Sequence, residues 1–416
     1  MISVQEQLAA VLAVAVPVPP LDVVLGDAAR CILAADVTVA VDLPAATVAA
    51  LDGYAVLALD TAGATPDTPV VLPVAHDVLA GTSRPLRLAP GQAIRVASGG
   101  VVPLGADTVV PVEETDRGSV RVAVHSHAVP GRHLRPVGVD AAVGDVALAA
   151  GTRMGARQIA LAAALGRVRV RVHPVPRVVV IAVGDELVAP TTQAREGSVH
   201  DANSHALTTA IQDTGAAAVR VGVVSDDRAL LLECLQDQLV RADVIILTGG
   251  LSDYPRDTVK DVLAPLGTVR FDYVAMTPGG RQGFGTVQGD VRATDDQGGE
   301  RGTPIFALPG SPVAAQVSFE VFVRPALRAM AGHLDLYRPS VAARATVGWE
   351  SPPGLRQFVP AILVGSPDEG YDVTPVGVPG ELSLTALAQA NVLAVVSERD
   401  VHVTAGQRVH CLVLEG

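Results

Sequence analysis

Residues Arg177–Val183 read Arg-Val-Val-Val-Ile-Ala-Val, and this run constrains the fold more than any other part of the chain. After its first residue neither face carries a polar side chain, which is the signature of a strand covered on both sides. Runs of similar character at 219–224, 243–248 and 304–308 predict further strands. Helical patterns at 203–214, 227–240, 258–264 and 313–330 alternate with them. Strand–helix alternation of this kind calls for a parallel, doubly wound α/β sheet over residues 173–331. The stretch 286–302, rich in Gly, Asp and Gln, is expected to be an exposed hairpin or loop.

The flanking regions have a different texture. Val4, Leu8, Val11, Leu12 and Ala15 follow helical spacing and predict an amphipathic N-terminal helix. Short runs punctuated by Gly and Pro at 70–74, 93–96, 108–112 and 121–124 give a small β domain over 42–138. A helix is expected at 155–165, closed by Gly166, and residues 139–172 should join 1–41 as one discontinuous linker domain. From 332 to 416 the chain returns to short strands, consistent with a terminal β-barrel-like domain. The whole is therefore an α/β multidomain protein.

Charge and composition exclude several classes. The 43 acidic and 31 basic residues leave a net charge of −12, unfavourable for a nucleic-acid backbone. Only Lys260 is a lysine; every other basic residue is arginine. Although 49% of residues are hydrophobic, no apolar run approaches the roughly 18 residues of a membrane span. The longest, 8–16, is cut by Pro17 and lacks the preceding positive charge of a secretory leader. Cys31, Cys234 and Cys411 are widely separated, so neither a disulfide framework nor a cysteine–zinc site is expected, and a reducing cytoplasm is the default compartment.

In a doubly wound sheet ligands bind beyond the carboxyl ends of the strands. There the sequence places Gly184-Asp185-Glu186, then Gly249-Gly250-Leu251-Ser252 with Asp257, then Pro309-Gly310-Ser311. The last two are glycine turns running into helices, where backbone N–H groups can hold phosphate. Asp185, Glu186, Asp226, Asp227 and Asp257 are candidate ligands for Mg²⁺, which takes a few carboxylates and bridges to phosphate oxygens. The competing account is that Asp caps helices, and for Asp226 and Asp227 it is equally strong. Glu186 and Asp257 are expected at exposed strand ends.

Longer strings carry a resemblance. Leu51-Asp52-Gly53-Tyr54-Ala55-Val56, Arg95-Val-Ala-Ser-Gly-Gly-Val-Val-Pro-Leu-Gly-Ala-Asp107-Thr-Val-Val, Gly184-Asp185-Glu186-Leu187, Thr248-Gly-Gly-Leu-Ser252, Ala307-Leu-Pro-Gly-Ser-Pro312 and Leu387-Ala-Gln-Ala-Asn391 occur in the order seen in the molybdopterin molybdenumtransferases. The chain resembles this MoeA/gephyrin E-domain family over nearly its whole length. The resemblance implies a linker domain, a β-rich lid, a doubly wound MogA-like α/β domain that binds molybdopterin, and a C-terminal β domain. It further implies a homodimer in which the lid faces the partner's α/β domain. The implied reaction is Mg²⁺-dependent insertion of molybdate into adenylylated molybdopterin with release of AMP. Asp52, Asp140, Glu186 and Asp257 match catalytic positions. Ser98, Gly249, Gly250, Ser252, Pro309, Gly310, Ser311, Arg281 and Arg356 are the substrate-binding candidates.

Several departures share a direction. Where the family often carries Lys-Pro-Gly-Lys, this chain has Thr277-Pro278-Gly279-Gly280, followed by Arg281. A basic residue usual after Gly354 is Leu355, with Arg356 next, and an expected Ser-His pair is Glu381-Leu382. The carboxylates are kept, whereas several of the anion-holding groups that the resemblance implies are not. The alternative function is therefore a catalytically weakened, gephyrin-like scaffold that docks a partner's peptide near the C-terminal domain.

Overall fold

The computed structural model describes residues 1–81, 86–251, 257–288 and 302–414. The chain divides into two compact units. One comprises Met1–Asp22, Arg30–Ala34 and Arg171–Gly416; the other comprises Val23–Ala29 and Ala35–Val170.

Helix α1 (Val4–Val14) opens the first unit. Ser3 caps it by accepting from the Glu6 N–H while Glu6 accepts from the Ser3 N–H, a reciprocal box that satisfies two end donors. Val4 and Val11 enter the core of the α/β sheet, so this segment packs with the α/β unit.

The second unit is built on a five-stranded sheet of β1 (Gly53–Val56), β2 (Val70–Val78), β3 (Ala93–Val96), β4 (Thr108–Pro111) and β5 (Arg121–Val124). The spatial order is β4-β1-β3-β2-β5. The unit also holds helix α2 (Ala156–Ala164), followed by Gly166 at φ 72°.

In the first unit, β6 (Arg177–Val183) lies inside a six-stranded sheet. Chain order continues through α3 (Asn203–Asp213), β7 (Ala217–Val224), α4 (Arg228–Leu239), β8 (Val244–Thr248) and α5 (Thr258–Leu263). Then come β9 (Arg270–Tyr273), β10 (Arg281–Val287) and β11 (Thr303–Leu308). The order is β7-β6-β8-β11-β10-β9. The first four strands are parallel, as expected, whereas β10 and β9 are antiparallel additions. Val178 and Val180 pack into one core and Val179, Ile181 and Val183 into the other, which is why β6 needs apolar residues throughout. The expected loop at 286–302 begins inside β10 and ends just before β11; residues 289–301 lie outside the described part.

The long helix after β11 runs through α6 (Pro312–Ser318), a π-helical turn (Phe319–Val323) and α7 (Arg324–Met330). The C-terminal region holds β12 (Ser340–Ala345), β13 (Arg356–Ser366), β14 (Gly370–Pro375), α8 (Leu384–Gln389), β15 (Val392–Val396) and β16 (Arg408–Val413). Its strands pair β13-β14-β12-β16-β15 and back to β13, a closed five-stranded barrel. Among the described residues no helix is long and apolar enough to cross a membrane. None of the three cysteines forms a disulfide.

Candidate functional site

Glycine turns mark the carboxyl ends of β6 and β8. Gly249 and Gly250 follow β8 with φ of 95° and 65°, a conformation that other residues rarely adopt. A Cβ at Gly249 would stand 2.3 Å from the Val183 carbonyl oxygen, and one at Gly250 would stand 2.6 Å from a Val259 methyl. This turn is therefore glycine by necessity. Ser252 lies outside the described residues.

Asn203, at the start of α3, ties this turn to the next one. Its Nδ2 donates to Thr248 Oγ1 at 2.7 Å and to the Gly310 carbonyl at 2.8 Å. Thr248 Oγ1 in turn donates to the Pro309 carbonyl at 3.2 Å. The ends of β8 and β11 are thus locked together, with Ser311 leading directly into α6. Asn203 is buried and was not singled out from sequence; its place between Asp201 and a helical pattern was the available signal.

The carboxylates separate into three roles. Asp185 and Asp226 meet across the ends of the neighbouring strands β6 and β7. The Asp226 N–H donates to Asp185 Oδ1 at 3.1 Å, the Asp185 N–H donates to Asp226 Oδ2 at 3.3 Å, and Ser225 Oγ donates to Asp185 Oδ1 at 2.6 Å. The Ser225 hydroxyl, followed by the Asp226 N–H, holds the Asp185 carboxyl below its ordinary range. Asp227 caps α4, accepting from the Ala229 and Leu230 N–H groups at 2.9 and 3.1 Å. Glu186 is exposed and folds back so that its carboxylate lies over Gly184.

Asp257 departs from expectation in one respect: it is buried, only 8% exposed, rather than at an exposed strand end. The reason is its position as the cap of α5, where it accepts from the Lys260 N–H at 3.0 Å. Burial pushes its carboxyl pKa up, against the opposing pull of the Lys260 N–H and charge. Thr258 Oγ1 donates to the Asp226 carbonyl at 2.7 Å and holds the two acidic segments side by side. Among the described residues no group of three or more His, Cys, Asp or Glu is gathered tightly enough to hold a metal ion unaided.

Asp257 shares a cavity of about 220 Å³ with Lys260, Arg281, Phe271 and Tyr273. Lys260 was not proposed from sequence, although it is the chain's only lysine and sits one turn into the helix after the glycine turn. Arg356 is part of an ion pair. Its guanidinium forms a two-pronged ion pair with Glu398 at 3.1 and 3.2 Å, half-buried within the first unit. Thr277 and Glu381, though over a hundred residues apart in sequence, line one small cavity together with Pro278 and Leu382. No basic residue lines it.

The second unit carries the remaining candidates. Asp52 Oδ1 accepts from the Ser98 N–H at 2.7 Å, and Ser98 Oγ donates to the Ala50 carbonyl at 3.3 Å, so these two are brought together. Asp140 is exposed and paired with Arg135.

A glycine-turn edge on a doubly wound sheet, flanked by carboxylates and followed by a closed barrel, defines a mixed α/β protein whose turns are of the kind that can hold phosphate. Comparison with known proteins narrows this. Residues 2–166 match the family described as MoeA N-terminal region, domains I and II. Residues 179–329 match the probable molybdopterin binding domain, and 342–414 match the MoeA C-terminal region, domain IV. Molybdopterin molybdenumtransferase 2 of Mycobacterium tuberculosis is 41% identical over 396 residues, covering 94% of each chain. Molybdopterin molybdenumtransferase 1 of the same organism is 39% identical, covering 98% of this chain and 97% of its own. The crystal structure of the molybdopterin biosynthesis MoeA protein from Pyrococcus horikoshii superposes with a TM-score of 0.80 at 27% identity, covering both chains fully. The chain belongs to the molybdopterin molybdenumtransferase family.

Proposed function

We propose that this protein acts in molybdenum cofactor biosynthesis, inserting molybdate into adenylylated molybdopterin with release of AMP, as a homodimer in the cytoplasm. The observation that carries this reading is the strand-end edge where the Gly249–Gly250 turn, the Pro309–Ser311 turn and the carboxylates of Asp185, Asp226 and Asp257 come together.

Magnesium fits the donor set. Carboxylates are hard oxygen ligands, and Mg²⁺ is usually held by one or two of them plus substrate phosphate oxygens, so a fully protein-made cage is not required. Asp226 and Asp257, with Asp185 orienting Asp226, are the residues that would hold it. When bound, the ion would offset negative charge on the phosphoryl oxygens. The chain's own groups do the rest. Backbone N–H groups of the two glycine turns bind phosphate oxygens, and Lys260 offsets charge beside Asp257. Glu186 takes the proton from the water that attacks the adenylate phosphorus.

A second reading, a weakened scaffold that docks a partner peptide near the C-terminal domain, is favoured by one observation. The cavity at Thr277 and Glu381 offers no cation to a molybdate dianion and places an acid there. Complementation of a transferase-deficient strain at low molybdate separates the two. Restored molybdoenzyme activity supports the transferase, and expression of folded protein without restoration supports the scaffold.

A further inference from the structure

The second unit contains a cavity of about 430 Å³, lined by Asp52, Tyr54, Asp77, Arg95 and Arg117 among others. Among the described residues neither Arg95 nor Arg117 forms an ion pair. Tyr54 on β1, Arg95 on β3 and Asp77 on β2 stand side by side in the strand register and so share one face of the sheet.

Arg117 is held there by a dedicated turn. Its φ is 60°, a left-handed conformation that residues other than glycine seldom take. Its N–H donates to Thr115 Oγ1 at 3.1 Å. Asp116 Oδ1 accepts from the Gly118 and Ala123 N–H groups at 3.0 and 2.8 Å, and the Tyr54 hydroxyl donates to the Gly118 carbonyl at 3.0 Å. Four hydrogen bonds therefore fix the turn that carries a strained arginine at the cavity, and among the described residues no carboxylate pairs with its guanidinium. Strain kept at a cavity in this way points to a ligand.

We propose that Arg95 and Arg117 form a phosphate subsite in this cavity, which takes a nucleoside monophosphate. Two planar guanidinium forks match phosphate oxygens in pairs. Asp52 and Asp77 balance the arginines in formal charge, so the ligand must also bring hydroxyl or amine donors, as ribose and a nucleobase do. The choice of AMP as the nucleotide rests on the proposed reaction; the arginine subsite does not.

The test is calorimetric titration of the full chain with AMP and with adenosine, without added metal. Arg117→Gly removes the guanidinium and suits the backbone, so its melting temperature should not fall below the wild-type value. AMP affinity should drop about tenfold to a hundredfold in Arg117→Gly and in Arg95→Gln, the loss of one charge-assisted hydrogen bond each. Adenosine should bind weakly and equally to all three proteins. AMP binding unchanged in Arg117→Gly, or absent from the wild type, overturns the proposal. A chain that inserts molybdate but binds AMP without Arg117 loses this site and keeps the reaction; one that binds AMP through Arg117 but does not insert molybdate does the reverse.

Discussion

Replacing Asp257 separates its folding role from its chemical one, because the two respond differently to the same pair of substitutions. Its side chain accepts one hydrogen bond at the start of α5 and is 8% exposed. Asparagine caps helices about as well as aspartate, so Asp257→Asn should change stability by only a few tenths of a kcal/mol from the cap, whereas Asp257→Ala should cost about 1 kcal/mol. Burial raises the carboxyl pKa above its value in the unfolded chain. A group shifted in that direction stabilises the fold fully below the unfolded pKa of about 3.9 and loses that contribution as pH rises through the folded value. Denaturant unfolding should therefore show the wild type gaining relative to Asp257→Asn as pH falls toward 4, and losing that advantage by neutral pH. AMP release from adenylylated molybdopterin should fall about a hundredfold or more in both variants, the scale expected for loss of a positioned catalytic group. A folded Asp257→Asn protein with full activity would refute the catalytic assignment. An Asp257→Asn protein that does not fold would show the carboxylate to be structural.

Other outcomes follow from the same geometry. Thr277→Lys combined with Glu381→Ser should tighten molybdate binding at least about tenfold by calorimetry, since one charge-assisted bond of roughly 1.5–3 kcal/mol is added and an acid is removed. Equal binding by the wild type would show that other groups hold the anion. Arg356→Ala should lower the melting temperature by the loss of a partly exposed ion pair, about 1 kcal/mol, and leave molybdate affinity unchanged. A loss of affinity would restore Arg356 to the binding set. Co-expressed Asp52→Asn and Asp257→Asn chains should recover part of the AMP release that each lacks alone, as a homodimer with shared sites requires. No recovery despite confirmed subunit exchange would count against it.

Much of the architecture was legible because burial leaves a plain mark on a strand covered on both faces. Arg177–Val183 was read at its observed bounds for that reason, and Gly215 marked the end of α3. The antiparallel pair β9 and β10 was not read. Gly283 and Gly285 interrupt β10 and suggest a loop, yet a Cβ at Gly283 would sit 2.7 Å from the Phe271 ring and one at Gly285 would sit 2.4 Å from the Val269 Cα. Those glycines serve close packing, which only the three-dimensional neighbour reveals. Helix α8, six residues long, carries too little periodicity to register. At the site, residue types were legible and partners were not. The pairing of Asp185 with Asp226 could be guessed from adjacent strand ends, but the bond of Asn203 to Gly310 spans 107 residues and leaves no local pattern. The ion pair of Arg356 with Glu398 was likewise not legible, because its partner is 42 residues away.

The central claim is tested most directly by incubating the purified chain with adenylylated molybdopterin, molybdate and Mg²⁺ under single-turnover conditions. AMP and the ability to reconstitute a cofactor-free molybdoenzyme are measured from the same samples. The account predicts one AMP released for each active cofactor formed, with both products dependent on molybdate and abolished in Asp257→Asn. Bound adenylate that remains intact, in protein shown to be folded and dimeric, would contradict it.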